Sequence, residues 1–337
     1  KYGDARKTEV SDDGGDVDME DLIVDEPNVV TISHEGFVKR MPLTEYRVQN
    51  RGGKGVQGGL RDNDFVEHFF VASTKAYLLC FANTGRMYWL KVYRVPTAGR
   101  TSPGRAIANV LSLAEGEKIA SIVPVREFVE GAHLLMATRL GTVKKTDLMA
   151  YSNVRAGGII GITLDDGDAL INVALTRPGD EVVLSTRKGM AIRFREAAVR
   201  TVGRTARGVR GIRLGKDDAV VGMVVAEPDG LLLTVCENGY GKRTPFGANT
   251  PLPEGATEAD DEAAAEPEVV EPEADGGEEA ENDPSGMRYR LQGRGGKGVK
   301  DVKVTAKNGP VIGVASVRDG DEVMLISKDG MVTRSKV

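Results

Sequence analysis

One short pattern of apolar and polar positions recurs along this chain. Two to four apolar residues lead into a polar turn ending in glycine, and a strand carrying lysine or arginine follows. The copies are VVTISHEGFVKR (29–40), YLLCFANTGRMYWLKV (77–92), LLMATRLGTVKK (134–145), VVLSTRKGMAIRF (182–194), LLLTVCENGYGKR (231–243) and VMLISKDGMVTRS (323–335). Their turn glycines, Gly36, Gly85, Gly141, Gly189, Gly239 and Gly330, are spaced by 49, 56, 48, 50 and 91 residues. Glycine suits a hairpin turn that needs positive φ. The strand after the glycine alternates apolar with polar, as in Ile192-Arg193-Phe194-Arg195, which is the period of a β-strand. Helical periodicity is nearly absent; 115–122 and 194–202 are the only weak candidates.

A second landmark fixes the register. Gly55, Gly104 and Gly208 each lie 19 residues after a turn glycine. In the third copy that offset lands on Ile160, next to the pair Gly157-Gly158. In the fifth, Gly298 lies 59 residues after Gly239, so an insertion of roughly forty residues sits inside that repeat. Six repeats of about 50 residues, each with four short strands, predict an all-β, six-bladed β-pinwheel, a propeller-like disc or spiral.

Composition marks the insertion. The segment 251–286 holds fourteen acids and no base, with almost no large apolar residue. Such a segment cannot bury enough surface to offset its ordering entropy, so it is expected to be disordered. Residues 1–28 carry ten acids against three bases and read as an acidic linker, with the pinwheel over 29–337. Removing those two segments, of net charge −7 and −14, from a chain of total −5 leaves a body of +16. A body that basic points to a polyanionic partner. The chain opens on Lys1, which reads as a fragment of something longer. Two cysteines, Cys80 and Cys236, make no disulfide framework and favour a reducing cytosol. No apolar run is long enough for a membrane helix, and three scattered histidines argue against a histidine metal site.

The cations follow the repeat. The strand after the turn supplies Lys39 and Arg40, Arg86 and Lys91, Lys144 and Lys145, Arg193 and Arg195, Lys242 and Arg243, and Arg334. Arg105, Arg207 and Arg210 stand near the second glycine landmark. Repetition around a disc is expected to line them along one rim, as a track for a bent polyanion. The first repeat also contains Gln49-Asn50-Arg51-Gly52-Gly53-Lys54-Gly55, and the fifth Gln292-Gly293-Arg294-Gly295-Gly296-Lys297-Gly298. These turns offer two cations and several unhindered backbone amides to a phosphate. The run from Gly53 to Gly58 fits a dinucleotide-binding glycine pattern, but it has no following helix and no βαβ unit. A phosphate-binding P-loop fails because glycine, not Ser or Thr, follows each Gly-Lys pair.

The element 49–55 resembles the box of the C-terminal domain family found in DNA gyrase A proteins. The six hairpins resemble that family's β-pinwheel over about 27–337. The stretches 208–214 and 238–244 resemble that family as well. The resemblance implies a non-catalytic domain that wraps double-stranded DNA around its rim without sequence readout. It would present a segment for ATP-dependent negative supercoiling. On the box, the role falls on Gln49, Arg51, Gly52, Gly53, Lys54 and Gly55, with Gln292, Arg294, Gly295, Gly296, Lys297 and Gly298 as a second, box-like set. The resemblance further implies, as partners, the rest of the gyrase A protein and the gyrase B protein in an A2B2 heterotetramer. It implies a cytoplasmic location, no metal, and no cofactor in this domain; ATP and magnesium would belong to the rest of the enzyme. Asn50 stands where a basic residue is common, and the sixth repeat has no Gly-rich element. The alternatives are a propeller that binds a protein partner, or the equivalent domain of topoisomerase IV. A protein-binding face would be expected to show exposed aromatic hot spots, and the chain has one Trp, eight Phe and eight Tyr. The acidic insertion, tethered near the basic rim, is expected to compete with DNA for it.

Overall fold

The computed structural model describes residues 20–45, 64–99, 102–155, 157–247, 289–326 and 332–337. The box at 49–55 and almost all of the acidic segments lie outside these residues. Among the described residues there is no α-helix. The two weak helical candidates are a turn leading into a strand and a strand running into a 3-10 turn at Glu196–Ala198.

In chain order the strands are β1 (Pro27–Ser33), β2 (Phe37–Pro42), β3 (Val66–Ser73), β4 (Tyr77–Ala82), β5 (Arg86–Lys91), β6 (Arg105–Ala106) and β7 (Ile119–Val125). Next come β8 (His133–Thr138), β9 (Thr142–Asp147), β10 (Ile159–Ile160), β11 (Leu170–Thr176), β12 (Glu181–Thr186), β13 (Met190–Arg195) and β14 (Val209–Arg210). The last are β15 (Val220–Val225), β16 (Leu231–Cys236), β17 (Gly241–Pro245), β18 (Val299–Lys300), β19 (Val311–Val317), β20 (Glu322–Ile326) and β21 (Val332–Lys336).

The sheets are antiparallel blades ordered β3-β1-β2-β6, β10-β5-β4-β7, β11-β8-β9-β14, β15-β12-β13-β18 and β17-β16-β19. Each of the first four hairpins therefore takes its third strand from its own repeat and its short outer strand from the Gly-rich element of the next repeat. Val38 pairs with Arg105, Met87 with Ile159, Val143 with Val209 and Ala191 with Val299. A blade is not one repeat of four strands, as the period had suggested; neighbouring repeats share it.

The expected six blades are corrected to five. Among the described residues the fifth has three strands, with no short outer strand beside β17. The sixth repeat contributes only the hairpin β20–β21 among the described residues. Without an outer strand, β17 is exposed along most of its length, whereas its counterparts β2, β5, β9 and β13 are largely buried.

The cores lie between blades. Leu78 and Cys80 face Val30, Ile32 and Val38 of the first blade, while Leu79 and Phe81 face Leu134 and Met136 of the third. Leu135 and Ala137 then join Val182 and Leu184, and Val183 joins Leu232 and Phe246. The first strands β1, β4, β8 and β12 are thus buried on both faces, which is why β4, β8 and β12 read as continuous apolar runs. The third strands β7, β11, β15 and β19 neighbour one another, leaving the two-residue strands at the opposite edge of each blade.

Candidate nucleic-acid interface

Many of the strand cations expected at the rim point inward. Lys39, Lys91, Lys144, Lys145 and Arg193 are buried, which corrects the expectation that they form a solvent-facing track. Each instead holds backbone carbonyls or a carboxylate. Lys39 Nζ donates to Ser102 O at 2.7 Å and Gly99 O at 3.4 Å. Lys144 Nζ donates to Gly161 O and Arg204 O. Both lysines sit three residues after their turn glycine, and both clamp backbone that leads into or follows a Gly-rich element. Burial, with Arg204 nearby, lowers the Lys144 ammonium to about 7; burial also lowers Lys39.

One position further along, the cations staple the connector after the hairpin. Arg40 is half-buried and donates to Val95 O (2.9 Å), Asn28 Oδ1 (3.2 Å) and Tyr93 O (3.4 Å). Lys145 pairs with Glu196 at 3.1 Å. Arg193 pairs with Glu181 at 2.6 Å and donates to Phe246 O and Tyr289 O. Lys91 pairs with Glu20 at 2.6 Å and lies 3.6 Å above the Tyr77 ring. The half-exposed Arg86 donates to Gly157 O and to Tyr88 Oη at 3.3 Å. Arg195 is half-buried. The exposed pair on the uncovered β17 behaves differently: Lys242 reaches Asp301 at 2.8 Å, and Arg243 reaches Asp319 at 3.7 Å. For Arg334 the backbone pairs with Met324, and its side chain is outside the described set.

The Gly-rich elements do reach the edge. Gly104, Gly158, Gly208 and Gly298 occupy one structural position, immediately before the outer strand. The third copy is therefore Gly158, two residues earlier than the offset of 19 suggests. At Gly208 (φ +106°) a Cβ would lie 2.4 Å from Val143 O, and at Gly298 (φ +76°) 2.4 Å from Ala191 O. Only glycine lets the element approach the blade this closely.

Successive elements are zipped together. Thr163 N donates to Ala206 O at 3.2 Å, and at the equivalent place Arg213 N donates to Gly296 O at 2.8 Å. Gly295 N donates to Gly211 O at 2.7 Å. Arg294 is committed to this junction, with Nε on Ala198 O (2.6 Å) and Nη1 on Arg210 O (3.5 Å). Gln292 is held through its backbone N on Arg193 O (2.8 Å). Its side-chain oxygen is buried without a donor among the described residues.

What remains exposed is a regular row. Arg207, Arg210 and Arg213 stand at the same ranks of the fourth element as Lys297, Lys300 and Lys303 of the fifth. All six are exposed, Arg207 in an ion pair with Asp165 at 2.9 Å, and each element's cations recur every third residue. Arg105 is exposed on β6. Lys300 and Lys303 were not singled out from sequence. The triplet spacing, aligned between elements by Gly208 and Gly298, is the signal that finds them. Unhindered amides and exposed cations along an edge suit phosphate oxygens, not a buried small ligand. No cluster of three metal-ligating side chains occurs among the described residues.

A family model described as DNA gyrase C-terminal domain, beta-propeller, matches residues 27–73, 76–126, 132–177, 180–227 and 288–318. The chain is 43% identical to the DNA gyrase A protein of Salmonella typhimurium and 41% identical to that of Escherichia coli, in both cases over all of its length. It spans about a third of those relatives, 34% of each. Among solved structures it resembles a DNA gyrase A C-terminal domain with a TM-score of 0.67 and 25% identity, covering 92% of this chain and 89% of the other. The C-terminal domain of a DNA topoisomerase IV shares the fold, also with a TM-score of 0.67, at 24% identity and covering 93% and 84%. With the shared-blade architecture and the cationic outer elements, the family match leads to one conclusion: this chain belongs to the DNA gyrase C-terminal domain family.

Proposed function

We propose that the chain binds double-stranded DNA along its outer edge and bends it with one handedness. The observation that carries this reading is the exposed row of Arg207, Arg210, Arg213, Lys297, Lys300 and Lys303 on two elements zipped into a continuous ledge. A row of exposed cations contacts the backbone of a polyanion and carries no base readout, so affinity falls steeply with salt. By the likeness of their sequence to 292–298, the box residues Gln49, Arg51, Gly52, Gly53, Lys54 and Gly55 would contribute to DNA binding as well. In the larger enzyme the domain would present the wrapped segment for ATP-dependent supercoiling, within an A2B2 gyrase assembly in the cytoplasm. The chemistry would lie elsewhere in that enzyme, and this domain itself would be non-catalytic and free of cofactor.

The test is topological. Relaxed circular plasmid is incubated with the chain, treated with a type I topoisomerase, and its linking number read on a gel. The expected result is a positive linking shift that shrinks in Arg51→Ala/Lys54→Ala and in Lys297→Ala/Lys300→Ala. Salt-sensitive binding without a shift would remove the chiral part of the reading. No binding at low salt would overturn it and favour a protein-binding disc.

A further inference from the structure

The cationic row is interrupted at the third Gly-rich element. Two residues after the shared glycine stand the exposed Arg210 and Lys300; the third element places Ile160 there, 46% exposed. One residue before the glycine stand Arg207 and Lys297, and the third element has Gly157. Five residues after it, where Arg213 and Lys303 stand, the third element has Thr163, whose hydroxyl donates to Thr205 O at 2.8 Å. Seven residues after it comes Asp165, which pairs with Arg207 at 2.9 Å, both side chains exposed. The same rank in the fourth element is Gly215, so Lys297 meets no matching acid there.

Asp165 has no evident structural task. The nearby Asp168 does: its Oδ1 accepts from Leu140 N and Ala169 N at 2.9 and 2.8 Å. Asp218 repeats that role for Lys188 N and Ala219 N, each at 2.9 Å. An exposed ion pair adds little to folding. Its effect here is on the field of the edge, where it offsets a cation that would otherwise face a phosphate.

We propose that the third Gly-rich element is an electrostatic break in the DNA-binding edge. Asp165 neutralises Arg207, and Ile160 replaces the phosphate-facing cation. Bound duplex is then held mainly by the fourth and fifth elements, and the third offers it only the exposed Arg155, three residues before its glycine. The proposal rests on the DNA reading above and adds where along the edge the contacts fall.

The experiment is a salt titration of duplex binding by the 337-residue chain, with a linear mixed-sequence duplex as probe. Three proteins are compared: the native chain, Ile160→Lys/Asp165→Asn, and Glu127→Gln/Glu130→Gln. The last makes the same change in net charge on an exposed loop before β8. Each new phosphate contact steepens the slope of log affinity against log salt by about 0.9. The expected result is a slope steeper by about 1–2 and binding about tenfold tighter for Ile160→Lys/Asp165→Asn, with the slope of the loop variant unchanged. A slope equal to that of the native chain, or an equal gain in the loop variant, overturns the break. Asp165→Asn alone, with half the gain, serves if the double variant melts early. Absence of salt-dependent binding by the native chain would instead sink the DNA reading itself.

Discussion

At the scale of single residues, repeated cations do opposite jobs depending on what covers them. Lys144 and Lys242 both sit three residues after a turn glycine, yet one is fully buried and the other exposed. The difference is the backbone of Gly161 and Arg204 laid over β9, with no counterpart over β17 among the described residues. Burying Lys144 has a pH consequence. Its folded value near 7 lies below the unfolded 10.5. Between those values the unfolded chain holds a proton that the folded chain has released, so stability rises with pH across that window and the gain is absent below it. Denaturant melts from about pH 7 to 9.5 should show the native chain gaining up to ~1.4 kcal/mol per pH unit relative to Lys144→Met. Gly208→Ala tests the close approach. The new Cβ meets Val143 O at a positive φ, and a loss of about 2–4 kcal/mol is expected from strain and displaced backbone.

At the scale of elements, the Arg193 clamp explains how one repeat tolerates a long insertion. A single guanidinium binds the carbonyls of Phe246 and Tyr289, on either side of 248–288, while Glu181 balances its charge. The two chain ends of the insertion are thus fixed to the blade independently of what joins them. Replacing 250–286 with a short Gly/Ser linker should leave the melting temperature within about 2 °C of the native value, since closing a shorter loop changes the entropy little. Arg193→Met should cost about 3–5 kcal/mol because it removes one side of a buried ion pair together with the donor to two carbonyls. Arg193→Met/Glu181→Met should recover part of that loss in the same melts. A double variant no better than the single would show that the bonds to the two carbonyls, and not the charge pair, dominate.

At the scale of the whole molecule, blades that share strands and cores are expected to unfold together. Each hydrophobic cluster draws on two blades, and each outer strand ties one repeat to another. Among the described residues the weakest point is the fifth blade, where β17 has no covering strand. Native-state amide exchange should protect β4, β8 and β12 most and β17 least; a uniform pattern would contradict the ranking. The charge segregation belongs to this scale too. Deleting 254–283 removes fourteen acids of the segment between Phe246 and Tyr289 and should tighten duplex binding at low salt. Equal affinity across the salt series would show that the segment does not compete.

The repeat, its strand content and its turn glycines were legible in the sequence, because hairpin geometry is local and recurs with the period. Gly36, Gly85, Gly141, Gly189 and Gly239 all adopt positive φ as expected. The family was legible for the same reason, in the glycine-rich motifs. Blade composition was not. Which repeat donates the fourth strand depends on a pairing across about 65 to 110 residues, as from Val38 to Arg105 or Ala191 to Val299, and no local pattern records its partner. For the same reason the sequence alone could not separate cations that clamp backbone, such as Lys39 and Arg193, from those that face solvent, such as Arg210 and Lys300. Residue type and spacing set where a charge can stand; the strand packed over it decides whether that charge is available to a ligand.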